Sequence, residues 1–401
     1  MVGDLLAIRG GSPVRSEPFP GWPIWGREEE EALLAALRSG IWGVGGQLTR
    51  QFGQSFASYS GCRYGIPIMN GTTALKVALR ALGVGPKDKV ITTPYTFVAT
   101  SSAIVELGAI PVYVDVAEGG VNIDSKLVYE TVDGGFKAIL PVHVGGHPVE
   151  MDLIEQVSRS YGVSVVEDAA EAHGAEWRGR RAGSLGALGC FSFQSSKVMT
   201  SGEGGIITTN DPGLAETCSS LVNCGRSAGR DWYESDILGY NYRMTEFQAA
   251  ILLCQLKRLD AEIERRQRNF EELLKLSRDL EGFRIIRPHE RANRVPHYLV
   301  IVQADRDYFG RVSKARIVDA LRAEGIPVSV GWPVPLYRYP PLKRYLELNG
   351  ARVDPSEFPN TERAAAEIFF IHHRVLLGGY REVEDVYKAL RKIEQYVDDV
   401  V

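Results

Sequence analysis

A chain of 401 residues with 44% hydrophobic and 24% charged side chains has an ordinary globular composition, and its length suits two domains better than one core. A net charge of −4 leaves no basic footprint for nucleic acid or an anionic membrane surface, and no apolar run approaches a transmembrane length. Five cysteines without a Cys-x-x-Cys pair argue against a disulfide framework and fit a reducing cytoplasm, while the seven histidines lack ligand spacing, so no structural metal is expected.

Residues 1–25, rich in Pro and Gly, read as an extended arm. Met1 to Ile8 is mildly apolar, but with Asp4 inside it and Arg9 behind it the stretch is too short for a signal segment. Arg27 to Leu37 then has the pattern of an amphipathic helix. Strand-like apolar runs follow at Ile66 to Met69, Lys89 to Thr93, Ile110 to Val116, Lys137 to Val144, Val163 to Glu167, Ala187 to Phe193 and Gly205 to Thr209. Helical patterns such as Leu75 to Leu82 and Ile154 to Tyr161 separate most of them, which predicts an α/β domain over 26–255 with a mainly parallel sheet. The last two runs have only a loop between them and can pair antiparallel.

Thr245-Glu246-Phe247-Gln248 has capping-box spacing and opens a long helix near 245 that bridges to a smaller α+β domain over 256–401. Strands are expected there at His297 to Val302 and Pro327 to Gly331, and helices near Lys314 to Ala323 and Val383 to Tyr396. His372 and His373, being adjacent, are expected on opposite sides of a strand.

Three places carry chemistry. Lys197 lies in a Ser/Gly-rich loop between two strand-like runs, set to be a buried amine able to form a Schiff base. Asp168 ends a β-branched run, and in an open parallel sheet the ligand crevice lies at the strands' carboxyl ends; the competing reading is a helix N-cap. Asn70-Gly71-Thr72-Thr73 turns a strand into a helix whose free N–H groups and hydroxyls suit a phosphate, where again an ordinary cap competes. An amine for an aldehyde, a carboxylate for a pyridinium nitrogen and a helix start for a phosphate are together what pyridoxal 5′-phosphate (PLP) requires of a protein.

From about Phe19 onward the chain resembles the sugar aminotransferase family of fold-type I PLP enzymes. The matching segments are Asn70 to Leu75, Pro94-Tyr95-Thr96-Phe97, Pro141-Val142-His143, Glu167-Asp168-Ala169-Ala170, Phe191 through Lys197 to Gly205, and Tyr240 to Glu246. The resemblance implies an aspartate aminotransferase-like fold with a mainly parallel seven-stranded sheet, and a homodimer with shared active sites. It implies that Lys197 and Asp168 are catalytic, Phe97 stacks on the pyridine ring, and Gly71, Thr72, Thr73 and Ser192 hold the phosphate. Asn241 would reach the phosphate of the neighbouring subunit's cofactor. Glu171 stands where the family often has Gln or His near the cofactor's phenolic oxygen, so its carboxylate would be protonated or turned away. For Phe97 plain core packing is the competing reading, and His143 and His173 can equally be hydrogen-bonded core histidines. Tyr240, Arg243, His297 and His372 complete the candidates for substrate contact.

Desolvation is expected to lower the basicity of Lys197 toward the working range. Because family members acting as sugar dehydratases carry histidine in its place, the lysine implies transamination, with L-glutamate or L-glutamine as donor and a keto-sugar or ketocyclitol as acceptor. Phe19 to Pro23, the Lys197 loop and Ile371 to Leu377 are most similar to the branch containing L-glutamine:scyllo-inosose aminotransferase and 3-amino-5-hydroxybenzoate synthase. The alternatives are a nucleotide-linked keto-sugar acceptor, a 3-amino-5-hydroxybenzoate synthase-like reaction, or a catalytically silent PLP-binding regulatory protein.

Overall fold

The structure, a computed structural model, describes residues 5–227, 229, 231 and 233–400. The first four residues of the arm, Asp4 among them, lie outside that description. In chain order the strands of the first part are β1 (Tyr64–Ile68), β2 (Lys89–Thr92), β3 (Ile110–Tyr113), β4 (Phe136–Leu140), β5 (Ser164–Asp168), a short hairpin of β6 (Glu176–Trp177) and β7 (Arg180–Arg181), β8 (Leu188–Ser192) and β9 (Gly205–Thr209). All seven predicted runs form strands, joined in the order β1-β9-β8-β5-β4-β2-β3. Four of the six pairings are parallel, linking β3, β2, β4, β5 and β8, while β9 runs antiparallel to both β8 and β1. The β8–β9 link is a loop with no helix to carry a crossover, which is why that pair is antiparallel. Every residue of β8 and β9 is buried, as befits strands covered on both faces.

The parallel strands point their carboxyl ends, Thr92, Leu140, Asp168 and Ser192, to one edge of the sheet. Helix Gly71–Ala81 starts at that edge too, because β1 enters the sheet through its neighbour β9 and delivers Asn70 beside Gly205. A Cβ at position 205 would stand 2.6 Å from the Asn70 carbonyl carbon, so only glycine fits there.

The second part holds β10 (Phe283–Ile285), β11 (Ala292–Arg294), β12 (Leu299–Ala304), β13 (Val328–Ser329) and β14 (Ile368–His372). Four of these make an antiparallel sheet in the order β10-β12-β14-β13, and β11 instead pairs with β6. Helix Glu246–Leu276 begins with the capping box, Gln248 N donating to Thr245 Oγ1 and Thr245 N to Gln248 Oε1. Its Ala249, Leu252, Leu259 and Ile263 pack in the core with Phe191 and Phe193, and its Phe270 and Leu273 pack with the second sheet. Leu6 and Phe19 of the arm are buried in that same second core.

One local expectation is corrected. His372 ends β14, and His373 opens a 3-10 turn, His373–Leu377, in which the His372 ring accepts from Arg374 N. The change of backbone breaks the two-residue alternation, and the rings stack at 4.4 Å rather than pointing apart.

Candidate active site

At the carboxyl edge of the main sheet a cavity of about 580 Å³ opens between it and the second sheet. Its walls include Gly71, Thr72, Phe97, Thr100, Asp168, Glu171, Ser192 and Lys197 from one side and Tyr298, Ser329, Trp332 and Phe370 from the other. Three larger cavities, one beside Arg278 and Arg284, one beneath helix Arg27–Arg38 and one beside Arg50, Arg63 and Arg243, are lined by no comparable set. The size lies within the usual range for a small-molecule site.

Lys197 sits in the β8–β9 loop with its side chain largely buried. Its Nζ donates to Glu171 Oε1 at 3.2 Å and lies 4.3 Å from the centre of the Tyr298 ring. Burial opposes the ammonium charge, yet the Glu171 carboxylate, with help from Tyr298 and Asp168, outweighs it, and the amine stands above the ordinary lysine pKa. The expected lowering by desolvation is therefore reversed by an ion pair. Glu171 has not turned away from the site: its second oxygen accepts from Gly145 N at 2.7 Å while the first faces Lys197.

The loop itself is held from three directions. Trp22 Nε1 donates to Ser195 O at 3.0 Å, His373 Nε2 to Ser196 O at 3.1 Å, and the Ser196 and Tyr298 hydroxyls meet at 2.8 Å. The arm, the long-range turn after β14 and the start of β12 thus all converge on two residues beside Lys197.

Asp168 is the last residue of β5, and no helix follows it, which removes the N-cap reading. Its Oδ2 accepts from Thr100 Oγ1 at 2.8 Å and its Oδ1 from Ala170 N at 3.3 Å. Burial lifts this carboxyl above its ordinary range, Glu171 adding to the lift and Thr100 and Ala170 working against it. A buried carboxylate with so few donors gains most from a cation beside it.

Asn70 caps the helix beginning at Gly71, its Oδ1 accepting from Thr73 N at 2.8 Å and Thr73 Oγ1 at 2.7 Å. The cap takes the donors of Thr73 and leaves the exposed Thr72 hydroxyl and the first-turn N–H groups facing the cavity. Gly71 presses on Ser192 so closely that a Cβ would stand 2.7 Å from the Ser192 Cβ. This cradle of helix start and strand-end hydroxyl fits an anion such as a phosphate. Behind it His173, neutral because burial drives its pKa to about 3, donates from Nε2 to Ser192 O at 2.9 Å.

Phe97 is 60% exposed at the cavity wall, so core packing does not describe it. The histidine candidates, in contrast, lie outside the cavity walls. His143 is fully buried, its Nδ1 accepting from Val149 N and its Nε2 donating to Glu167 Oε2 at 3.1 Å, a structural link beneath the sheet edge. His297 stacks on Phe270 at 3.9 Å, and His372 stacks on His373. Asn241 and Tyr240 are exposed on a segment away from this chain's own cavity, Tyr240 stacked on Tyr242, while Arg243 donates to Asn223 Oδ1 at 3.0 Å. Sequence reasoning missed Thr100, Gly145, Tyr298 and Trp332. Tyr298 was one position from a named candidate: His297 packs on Phe270, whereas Tyr298 lines the cavity.

Comparison with known proteins agrees with this geometry. The chain is 35% identical to L-glutamine:2-deoxy-scyllo-inosose aminotransferase of Streptoalloteichus tenebrarius, covering 97% of both chains. It is 35% identical to 3-amino-5-hydroxybenzoate synthase of Amycolatopsis mediterranei, over 92% of this chain and 95% of the other. The crystal structure of a 3-amino-5-hydroxybenzoic acid synthase superposes with a TM-score of 0.87 at 33% identity, covering 97% of this chain and 99% of that one. The family description matching residues 23–391 is DegT/DnrJ/EryC1/StrS aminotransferase, and with a lysine, a carboxylate and an anion cradle around one cavity the chain belongs to that family of enzymes.

Proposed function

We propose that this chain is a PLP-dependent transaminase that passes the amino group of L-glutamine or L-glutamate to a polyhydroxylated cyclic ketone without a nucleotide. The observation that carries the reading is one cavity lined by the Lys197 amine, the Asp168 carboxylate and the Gly71–Ser192 cradle. When bound, PLP supplies the electron sink for a carbanion at the substrate's α-carbon. Lys197 Nζ attaches the cofactor and, once freed, carries the proton to and from that carbon. The Asp168 carboxylate would keep the pyridine nitrogen protonated, and Phe97, exposed at the cavity wall, would cover the cofactor ring. Thr72, Ser192 and the free N–H groups of the helix start bind the phosphate, whereas both donors of Thr73, expected there as well, are taken by Asn70.

The acceptor class is supported by the walls. Lys197 is the single cation among the described cavity-lining residues, and Phe97, Tyr298, Trp332 and Phe370 supply aromatic surface with Gln194 and Ser329 as hydrogen-bonding groups. A nucleotide diphosphate is normally met by Arg or Lys clusters. Hydroxyls on a six-membered ketone suit the walls better, in line with the cyclitol named for the Streptoalloteichus relative. Asn241, exposed and away from its own cavity, reaches the phosphate bound by a second copy, which makes the unit a homodimer.

Borohydride reduction of the purified protein followed by peptide mapping should mark Lys197, and label on another lysine refutes the assignment. Adding L-glutamine or L-glutamate should convert the absorbance to that of pyridoxamine phosphate, which a silent binding protein does not do. The aminated form should then turn over scyllo-inosose. Turnover confined to nucleotide-linked 3-keto or 4-keto hexoses overturns the acceptor class and leaves the transaminase reading intact.

A further inference from the structure

Among the described cavity-lining residues, the Lys197–Glu171 pair is an interaction for which the anchoring of a cofactor gives no reason, since by the family resemblance a carboxylate there would face a phenolic oxygen of like charge. We propose that Glu171 is the proton acceptor of Lys197: its Oε1 holds the free amine charged and pointed into the cavity, and takes the proton away when that amine attacks an aldehyde. The inference rests on the reading of Lys197 as the attachment point.

Glu171 is built for this task from both of its oxygens. Oε1 faces Nζ at 3.2 Å, and Oε2 accepts from Gly145 N at 2.7 Å. That donor is fixed in place, because Gly145 has a φ of +65° and a Cβ there would stand 2.8 Å from Ile301 Cδ1, so only glycine can occupy the position. The carboxylate is 8% exposed, so water does not compete freely for either oxygen.

The other titratable groups around Nζ are committed elsewhere. Asp168 spends Oδ2 on Thr100 and Oδ1 on Ala170 N. The Tyr298 hydroxyl is shared with Ser196, and its ring covers Nζ. His173 donates to Ser192 O and is kept neutral by burial, so it is a poor base. Among the described residues, Glu171 alone offers a carboxylate oxygen within hydrogen-bond reach of the amine.

The proton count closes. The ammonium gives one proton to Glu171 Oε1, the freed lone pair attacks the aldehyde carbon, and the carbon–nitrogen bond forms. The carbonyl oxygen leaves as water with the two hydrogens remaining on nitrogen. Glu171 is left protonated, hence neutral beside a phenolic oxygen, and can return the proton when the amine is released. This removes the like-charge conflict that a carboxylate at this position otherwise creates.

The test titrates Lys197 in protein stripped of cofactor, by competitive acetylation against Nα-acetyl-lysine across pH, with each site read by peptide mass spectrometry. In the wild type the Lys197 midpoint should lie above that of the standard. Glu171→Gln should lower it by a pH unit or more, a tenfold rise in reactivity at fixed pH, and Glu171→Asp should keep most of the wild-type behaviour. A Glu171→Gln midpoint equal to wild type overturns the proposal. If that variant does not fold, a wild-type midpoint below the standard overturns it by itself. A parallel series follows PLP uptake by the stripped proteins near neutral pH, where Glu171→Gln, lacking the proton acceptor, should capture PLP at least about tenfold more slowly than wild type, and capture as fast as wild type or faster overturns the acceptor role. Failure of wild type to take up PLP at any pH defeats the assignment of Lys197 as attachment point, while the acetylation midpoints still decide the role of Glu171.

Discussion

Thr100→Val isolates the support given to Asp168. Valine keeps the branched shape in a helix, Ala99–Val105, where Thr100 is 1% exposed, and removes only the hydroxyl that donates to Asp168 Oδ2 at 2.8 Å. Loss of a hydrogen bond to a charged group costs about 1.5–3 kcal/mol, and loss of one to a neutral acid about 0.5–1.5 kcal/mol. Which figure applies depends on pH. Burial raises the folded-state pKa of Asp168, so the carboxyl favours the folded state most at low pH and loses that advantage as pH rises through the folded value. The variant raises this pKa further, so its penalty should be small at pH 4.5 and should grow by about 1–2 kcal/mol at pH 8. Urea unfolding of wild type, Thr100→Val and Thr100→Ser at both pH values measures the difference, and serine should restore most of it. An equal loss at both pH values would show that Thr100 merely packs and that Asp168 does not depend on it.

Asp168→Asn keeps the shape of the site without its charge, and the half-reaction with L-glutamine should slow by on the order of a hundredfold or more while PLP still binds; rates near wild type would reduce Asp168 to a structural group. Gly71→Ala sets a Cβ 2.7 Å from that of Ser192. The crowding costs about 1–3 kcal/mol and helix propensity returns at most about 1 kcal/mol, so the net loss of about 0–2 kcal/mol should lower the melting temperature by no more than several degrees. PLP affinity, read by fluorescence titration, should nevertheless fall at least about tenfold through loss of one charge-assisted contact. Asn241→Ala should weaken PLP retention, and mixing it with Lys197→Ala should restore roughly a quarter of wild-type activity, since one site in a mixed dimer receives both intact residues. No recovery on mixing argues for a site built within one chain.

The main sheet was legible in the sequence because its strands are short, apolar and separated by helical or loop signals, and a local pattern suffices for each. Lys197, Asp168 and Thr72 could be named for the same reason: each sits where one element hands over to the next. Phe283–Ile285 was not assigned as a strand, being only three residues long, and of Ile368–His372 only its end at His372 was expected in a strand, its partner Leu299–Gln303 lying far away in sequence. The partners of the key residues were hidden as well. Thr100 meets Asp168 across 68 residues, Gly145 meets Glu171 through a backbone N–H that no side-chain pattern announces, and Tyr298 arrives from the second sheet. His143 and His173 drew notice as polar residues in matching motifs, but their work is to tie strand ends together from below.

The grip on the Lys197 loop has a consequence for how the enzyme comes into being. Trp22 leaves the ribosome 175 residues ahead of Lys197, and His373 emerges 176 residues after it, a span of 351 positions from the first clamp to the last. The arm cannot settle early, since Arg15 pairs with Glu382 and Asp385, and Ala7 N and Val14 N donate to Glu324. Until those residues exist, the segment carrying Trp22 is tied only to the long helix, where Gln255 and Arg258 donate to Ile24 O, and Ser196 O lacks its donor from His373. A nascent chain with its main sheet complete therefore presents a lysine loop that is only partly clamped, and the full grip forms when the two ends of the polypeptide meet across the finished second core.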